Sequence, residues 1–584
     1  FLNRSLWLAL LAFMSLAGVL SLRRLSLAST TVSRRINNEG AGRFESAWKF
    51  LWIAAAPFLT LALLAASNPP GLIWQEEGNG YDVLEYHLQL PKEYIQNQVI
   101  AYAPHNVYAN FPANMEMLYL LAMIVHGDVR DIGTTANMIH LAFAVLTVFA
   151  AWAIGRDISP QAGIVGGLIV ATCTWLEYLS GLAYVENGML FFGLCALAVT
   201  LRAARDAGSP FRWLAMGGLM AGFAAGCKYT AIPMIVMPIA VTCLFHRLPW
   251  PRRIANVAMF FLFALLAVSP WLIKNWAYTG NPVFPLANEW FVASPPGWSG
   301  EQTLQWERAH SVGADVGVAE RLRAFWQRVP ADHYQRFGPV ILSLGLLGLF
   351  ARRRDRTDLA LIVVFAIQGS VWLFATHLYA RFAVPLILPL VLLACRALPY
   401  GSHPRRCVLV VAALLLGAGW NFTFAAQRHG RESAPGASAA LFSDGKLPGF
   451  EYLGVVNHEL PPDSSLLLVG DARTFYLNPP VDYFVAFNRN PFFEYIQNRG
   501  NPKETMEWLR AKNYTHILIH WSEVRRIAKT YGFSPSVGEE ELAHALSGLT
   551  KAGLKPVRSF SHPALAGIRY VELYEVPAPA IDKP

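Results

Sequence analysis

Gly80-Tyr81-Asp82-Val83-Leu84-Glu85-Tyr86-His87 decides how this chain is read. The hydrophobic run from Phe50 to Ala66 precedes it, and the polar stretch Asn68 to Asn79 separates the two. A run of that length and character reads as a bilayer span. Two carboxylates, Asp82 and Glu85, therefore stand just outside a membrane, with Tyr81, Tyr86 and His87 beside them. Loop carboxylates are mostly solvated, and that plain reading applies to any acid in a loop. Here the acids lie close to a span rather than at a loop tip, and aromatic rings and an imidazole flank them. Short apolar helical stretches follow that can roof a cavity at the bilayer surface.

Composition agrees with a membrane protein. Of 584 residues, 54% are hydrophobic and 15% charged, where a soluble domain carries about 25% charged residues. The net charge of +9 does not mark a nucleic-acid binder, because Lys and Arg fall in short clusters between apolar runs. That is the positive-inside pattern. The six Cys lie within or at the ends of apolar runs, with no CxxC pair and no disulfide framework.

Leu6 to Leu22 is apolar and is followed by Arg23, Arg24, Arg34 and Arg35. A signal peptide carries its charge before the apolar core, so residues 1–49 read as an outside-in helix and a cytoplasmic loop. Residue 1 is Phe and is not taken as the natural start. Residues 50–426 alternate apolar runs with turns, and nearly every inward turn carries Arg: Arg202, Arg205 and Arg212; Arg247, Arg252 and Arg253; Arg352 to Arg354; Arg396, Arg405 and Arg406. Apolar windows of about 20 residues give about twelve crossings. Two outer loops are long, 67–133 and 274–336. In the first, Leu84, Leu88, Ile95 and Val99 fall near one helical face, with Pro91 as a helix start. Ala113 to Val125 is apolar but too short to cross, which suits a re-entrant or interfacial helix. Gly163-Ile164-Val165-Gly166-Gly167 sits inside an apolar run and reads as a helix-packing surface, not a nucleotide loop.

From residue 427 the pattern changes. Short apolar runs (Ser465–Val469, His516–His520, Tyr570–Val576) alternate with helix-like pieces (Asn501–Lys512, Glu539–Lys551). Residues 427–584 are expected to form a small α/β domain on the outer, extracytoplasmic side. The expected fold is mainly α: a polytopic bundle with outer interfacial helices and this appended domain.

A span followed by an acidic outer motif and interfacial helices resembles the GT-C glycosyltransferases. That group includes protein O-mannosyltransferases and the bacterial transferases that add aminoarabinose to lipid A. The closer resemblance is to bacterial membrane proteins of a glycosyltransferase 39-like or Rgt-like group. The matching stretches are Tyr81-Asp82-Val83-Leu84-Glu85-Tyr86-His87-Leu88, Asn110-Phe111-Pro112-Ala113-Asn114-Met115-Glu116-Met117, Ser269-Pro270-Trp271-Leu272-Ile273-Lys274-Asn275-Trp276, Thr279-Gly280-Asn281-Pro282-Val283-Phe284-Pro285 and Arg381-Phe382-Ala383-Val384-Pro385. They span roughly residues 50–424, and His520-Trp521-Ser522-Glu523 extends the likeness into the tail.

The resemblance implies an inverting glycosyltransferase of the plasma (bacterial inner) membrane that uses a polyprenyl-phosphate-linked sugar. The acceptor would be a lipid, a glycan or a protein, with membrane lipids around the bundle. The family's base is the first acid of the first outer loop, which maps onto Asp82. The family often shows two adjacent acids there, whereas Glu85 is three residues away, as partner or substitute. A sugar on a lipid phosphate needs a base for the acceptor hydroxyl and cations for the departing phosphate. Candidate phosphate ligands are Arg381, whose guanidinium grips oxygens at two points, with His377 and Tyr379 beside it, and Lys228 and Lys274. Each cation also reads as a membrane-end anchor that snorkels. Tyr81, Tyr86 and His87 suit sugar stacking and hydrogen bonding. Glu186 reads as a helix-start acid or as a cavity residue, and Glu116, inside a short apolar helix, is costly unless paired. His87, His105 and His126 show no metal-ligand spacing, so no metal or other cofactor is expected, a divalent ion being the alternative for diphosphate donors. Arg473, Tyr476 and Trp521 are candidate surface residues of the tail domain, or packing residues. Two other classes compete. A secondary transporter would show paired repeats and mid-bilayer charges. A glycan polymerase or ligase of another fold would place its Arg and His on a late outer loop.

Overall fold

The computed structural model describes residues 48–129, 132–204, 210–311, 316–348, 355–397, 404–434, 436–499, 501–531, 537–563, 565 and 567–578, with isolated positions before Trp48. Seven helices among them are long and apolar enough to cross a membrane: Phe50–Ser67, Ile132–Arg156, Glu186–Ala203, Trp250–Thr279, Arg356–Ala375, Ala380–Ala397 and Cys407–Glu432. Pro160–Ala171 and Thr174–Ser180, bent by 49° at their junction, make an eighth if taken as one span. The polytopic helical bundle is as expected, and of the roughly twelve expected crossings seven or eight are such helices among the described residues. The run 6–22 falls, but for isolated positions, outside the described residues. Other expected crossings land on shorter helices, Ile232–Phe245 and Gly338–Leu347. Apolar windows register hydrophobicity, not helix length. Pro233 and Pro238 break the first of these into a π turn (Ile232–Val236), a short α-helix (Met237–Thr242) and a 3₁₀ turn.

Small residues let the helices close up. A Cβ on Gly218 or Gly222 would lie 2.4 or 2.3 Å from the carbonyl oxygens of Phe260 and Ala264 on the neighbouring long helix. The expected packing surface holds too: Gly166 abuts Cys395, and Gly167 abuts Trp52. Asn114–His126 is the short apolar helix of the first loop.

The C-terminal residues form a five-stranded sheet, with β1 (Leu466–Val469), β2 (Val481–Asp482), β3 (His516–His520), β4 (Lys555–Phe560) and β5 (Val571–Glu575) in the order β2-β1-β3-β5-β4. β1 pairs in parallel with β2 and β3, whereas β5 runs antiparallel to β3 and β4. Strands covered on both faces read as continuous hydrophobic runs, and β1 and β3 are buried throughout. The period-2 alternation of side chains divides the two faces between two cores. Leu467, Val469, Ile517 and Ile519 pack under the domain's own helices. Leu466, Leu468 and Leu518 belong to the core that runs on through the transmembrane bundle. The α/β domain is thus fused to the Asp82 end of the bundle. Of the residues there that read as surface candidates or packing residues, Tyr476 is buried and donates to the Pro70 carbonyl (2.9 Å), and Trp521 is buried and donates to Glu572. Both are packing residues, Tyr476 against Phe442 and Phe475 and Trp521 where β3 passes into the helix Trp521–Tyr531.

Lys92 fastens the first loop to this domain by donating to the backbone carbonyls of Phe475 and Leu477, both at 2.9 Å, and of Thr474 at 3.5 Å. Lys92→Met keeps the stem and removes these charge-assisted bonds. The expected cost is about 1.5–3 kcal/mol, measured as a lower unfolding midpoint in detergent and earlier proteolysis within residues 427–584.

Candidate active site

The span Phe50–Ser67 ends where Asn68 turns extended. A 3₁₀ turn, Gln75–Glu77, follows, flanked by the left-handed residues Trp74 and Gly78. Trp74 is fixed by its ring, stacked 5.1 Å from Tyr178, and by its indole N–H on the Tyr178 carbonyl. Glu77 is thereby turned inward. Next, Val83–His87 winds as a π-helical turn, closed by Leu88 N–H on the Val83 carbonyl at 2.9 Å. Such turns recur at functional sites. Asp82 stands at its start, and its side chain makes no capping bond, so the carboxylate is available to other partners.

Those partners come from distant parts of the chain. Arg381, in the 3₁₀ turn Ala380–Leu386, reaches Asp82 at 3.0 Å, Glu77 at 3.4 Å and Glu186 at 3.5 Å. Lys228 pairs with Glu186 at 2.7 Å and lies over the Phe382 ring. Tyr184 lies beneath the Arg381 guanidinium at 4.2 Å, and its hydroxyl donates to Glu77. Three carboxylates thus face two cations in a largely buried cage. The Asp82 side chain is the most open of the carboxylates, 30% exposed against 3% for Glu77 and 1% for Glu186.

Burial works against ionising Asp82, but Arg381, His87 and Lys228 outweigh it and hold the carboxyl below its usual range. Burial dominates at Glu77, with Asp82 and Glu186 adding to it, and pushes its pKa up despite Arg381. Burial and Arg381 lower Lys228, against the pull of Glu186. Glu85 is buried and makes no pair with either cation of the cage. Burial first and then Asp82 push its pKa far up.

His87 is bound to Glu116 at 2.6 Å, so the acid of the short apolar helix is paired as its cost requires. The His87 ring lies 5.4 Å from Tyr184, beside the cage. Tyr86 stacks on Tyr108. Tyr81 turns away from the cage and lies between two guanidinium groups of the C-terminal domain, Arg526 at 4.3 Å and Arg473 at 5.1 Å. Tyr379 lies beside Arg381 and donates to the Glu76 carbonyl. His377 contacts His310 and Phe382, and burial, with His310, Lys228 and Arg381 nearby, lowers it to about 4, so its ring is neutral near pH 7. Lys274 is not brought to the cage: its ammonium is taken by the Ala109 carbonyl. Among the described residues no three His, Cys, Asp or Glu side chains are placed to hold a metal ion together.

Glu77, Tyr184 and Arg526 are not singled out as site residues by sequence reasoning, and Arg473 is singled out only as a surface or packing residue of the tail. Glu76-Glu77 is an adjacent acidic pair just before the motif, and that was the available signal for Glu77. Nothing in the sequence alone joins Arg473 or Arg526 to Tyr81.

The bundle of spanning helices with its appended α/β domain has the fold of GT-C glycosyltransferases of known structure. The family model for dolichyl-phosphate-mannose-protein mannosyltransferases matches residues 118–274. ArnT from Cupriavidus metallidurans bound to undecaprenyl phosphate superposes with a TM-score of 0.59 at 13% identity, over 91% of this chain and 98% of that one. Its apo state gives 0.57 at 14% identity, over 90% and 98%. The archaeal oligosaccharyltransferase AglB from Archaeoglobus fulgidus, in complex with an inhibitory peptide and a dolichol-phosphate, gives 0.52 at 15% identity, over 87% and 72%. No curated protein sequence matches the chain.

Proposed function

We propose that the chain is an inverting glycosyltransferase that moves a sugar from a polyprenyl-phosphate carrier to an acceptor at the outer face of the plasma membrane. The observation that carries this reading is the Asp82–Arg381 pair at 3.0 Å, set in a cage with Lys228. A carboxylate and two cations near the ends of spanning helices suit a donor whose phosphate is carried on a lipid. Solved structures of the same fold hold undecaprenyl phosphate and dolichol-phosphate, which supports a donor of that class.

The chemistry follows from the residues. The donor phosphate takes N–H groups of Arg381 in place of those Asp82 now holds, which leaves the carboxylate free. Asp82 accepts the proton of the acceptor hydroxyl as that oxygen attacks the anomeric carbon. The bond between that carbon and the phosphate oxygen breaks, and its electron pair leaves with the polyprenyl phosphate. Arg381 and Lys228 stabilise the charge that develops there. A single displacement inverts the anomeric carbon. The test is transfer of labelled sugar from synthetic polyprenyl-phosphate sugars by the protein purified into nanodiscs. Flux of a soluble substrate into liposomes, with no transfer, would favour the transporter instead.

Glu77 gives a pH prediction. It faces Arg381, Asp82, Arg336, Glu186 and the phenols of Tyr178, Tyr184 and Tyr379. Protonated, it leaves two carboxylates against two cations, and an anionic phosphate is admitted. Ionised, it leaves three against two. Donor affinity is therefore expected to fall as pH rises through the raised Glu77 pKa. Glu77→Gln fixes the uncharged state and is expected to flatten that dependence. Binding of radiolabelled polyprenyl phosphate across pH measures both.

A further inference from the structure

We propose that the acceptor is a carbohydrate, and that it docks in the seam between the first loop, the helix Gly300–His310 and the C-terminal domain, gripped by Glu85 and Arg526. This rests on the glycosyltransferase reading above. Glu85 is the first reason. The residue is 4% exposed. Among the described residues no hydrogen bond or ion pair reaches its carboxyl group, and only its backbone carbonyl accepts, from Asn106. A buried carboxyl group with no partner is costly. Hydroxyl groups of a ligand would supply the missing bonds, and Glu85 is one π-helical turn from Asp82, so a hydroxyl held near it is within reach of the base.

The walls of the seam are the second reason. Tyr86 stacks on Tyr108, with centroids 4.4 Å apart. Tyr108 continues to Trp306 at 5.9 Å, Trp306 to Phe487 at 5.0 Å, and Phe487 to Tyr531 at 5.2 Å. This aromatic chain joins three separate parts of the protein around Glu85; burial above all, with Glu85 adding to it, raises the phenols of Tyr81, Tyr108 and Tyr531. Trp306 and Phe487 are buried and back the wall, so the half-buried rings of Tyr86, Tyr108 and Tyr531 are the ones that can meet the C–H faces of a sugar, while carboxyl and guanidinium groups bind its hydroxyls. Arg526 supplies the guanidinium. Its Nε is held by Glu523 at 2.6 Å and its plane lies over Tyr81. Both Nη groups lack a hydrogen-bond partner among the described residues, and the side chain is 38% exposed. Arg473, by contrast, is spent on Asp471 and Glu523. The seam is made of side chains from helices and loops. Among the described residues, those named in it lie on no strand, so it lacks the edge that reads the backbone of an extended peptide.

The test uses the full chain in nanodiscs, a panel of free oligosaccharides, and serine- and threonine-containing peptides as the second arm. Binding is read by quenching of tryptophan fluorescence, since Trp306 belongs to the wall. Polyprenyl-phosphate binding is measured separately. Wild type is expected to bind saccharides and not peptides. Arg526→Gln and Tyr531→Ala are each expected to weaken saccharide binding by at least roughly tenfold, about 1.4 kcal/mol, with polyprenyl-phosphate affinity unchanged and Tyr531→Phe restoring binding. Size-exclusion profiles check that each variant folds. Peptide binding alone, no saccharide binding at millimolar concentration, or saccharide binding indifferent to both variants overturns the assignment. Loss of polyprenyl-phosphate binding in wild type would instead overturn the donor reading.

Discussion

Asp82→Asn is expected to lower sugar transfer by roughly 10²–10⁴-fold, the usual contribution of a positioned base, with polyprenyl-phosphate binding retained. Asparagine matches aspartate in shape and keeps an oxygen for Arg381, so the cage stays folded. What it loses is the ability to take a proton. It also removes one of the three negative charges that face Arg381 and Lys228, so donor affinity should hold or tighten. Binding and catalysis then separate: the dissociation constant for polyprenyl phosphate holds or falls while the turnover rate collapses. Because its neighbours hold Asp82 below the usual carboxylate range, it is ionised at and above neutral pH, and the acid limb of the rate profile lies low. Transfer by the Asn variant at the wild-type rate would remove Asp82 from the mechanism.

The second large effect is at Arg381, whose side chain is 9% exposed and contacts three carboxylates. Arg381→Ala removes the cation that all three acids share and leaves Lys228 as the other cation of the cage. Removing one partner of a buried ion pair costs about 3–5 kcal/mol, so this variant is expected to express poorly or to melt early. Arg381→Lys is the informative change. It keeps the charge but replaces a planar fork by a point charge that cannot span Asp82, Glu77 and Glu186 together. Folding is expected to survive, while polyprenyl-phosphate affinity falls by roughly 10–100-fold, the worth of one or two charge-assisted hydrogen bonds. A binding isotherm alongside thermal unfolding reads both. Wild-type donor affinity in a folded Lys variant would place the phosphate elsewhere.

Much of the cage was legible because ionisable groups beside apolar runs cost energy and so stand out. Asp82, Glu186, Lys228 and Arg381 are each at such a junction, and the fold brings them within hydrogen-bonding distance. Glu116, inside an apolar helix, needs a partner, and His87 is that partner. Glu77 was hidden, since its burial depends on the chain reversal around Trp74 and Tyr178 rather than on any local pattern. Lys274 looks like its fellow rim cations in sequence, and only the position of the Ala109 carbonyl takes it from the site. The strands of the tail were visible as apolar runs. That one face of their sheet would join the core of the bundle was not, because a run buried on both sides says nothing of what covers each face.

That shared core changes what can be exchanged between proteins of this architecture. Leu466, Leu468 and Leu518 pack into the bundle's own interior, while Tyr81 is gripped by Arg473 and Arg526 only a residue away from Asp82. A chimera that takes residues 427–584 from a relative therefore also replaces half of the mould that shapes the turn at Asp82. Grafts should keep Tyr81, Arg473 and Arg526 from one parent, together with Lys92 and the carbonyls it holds. A swap that cuts between them is expected to leave Asp82 in place but out of register with its substrates.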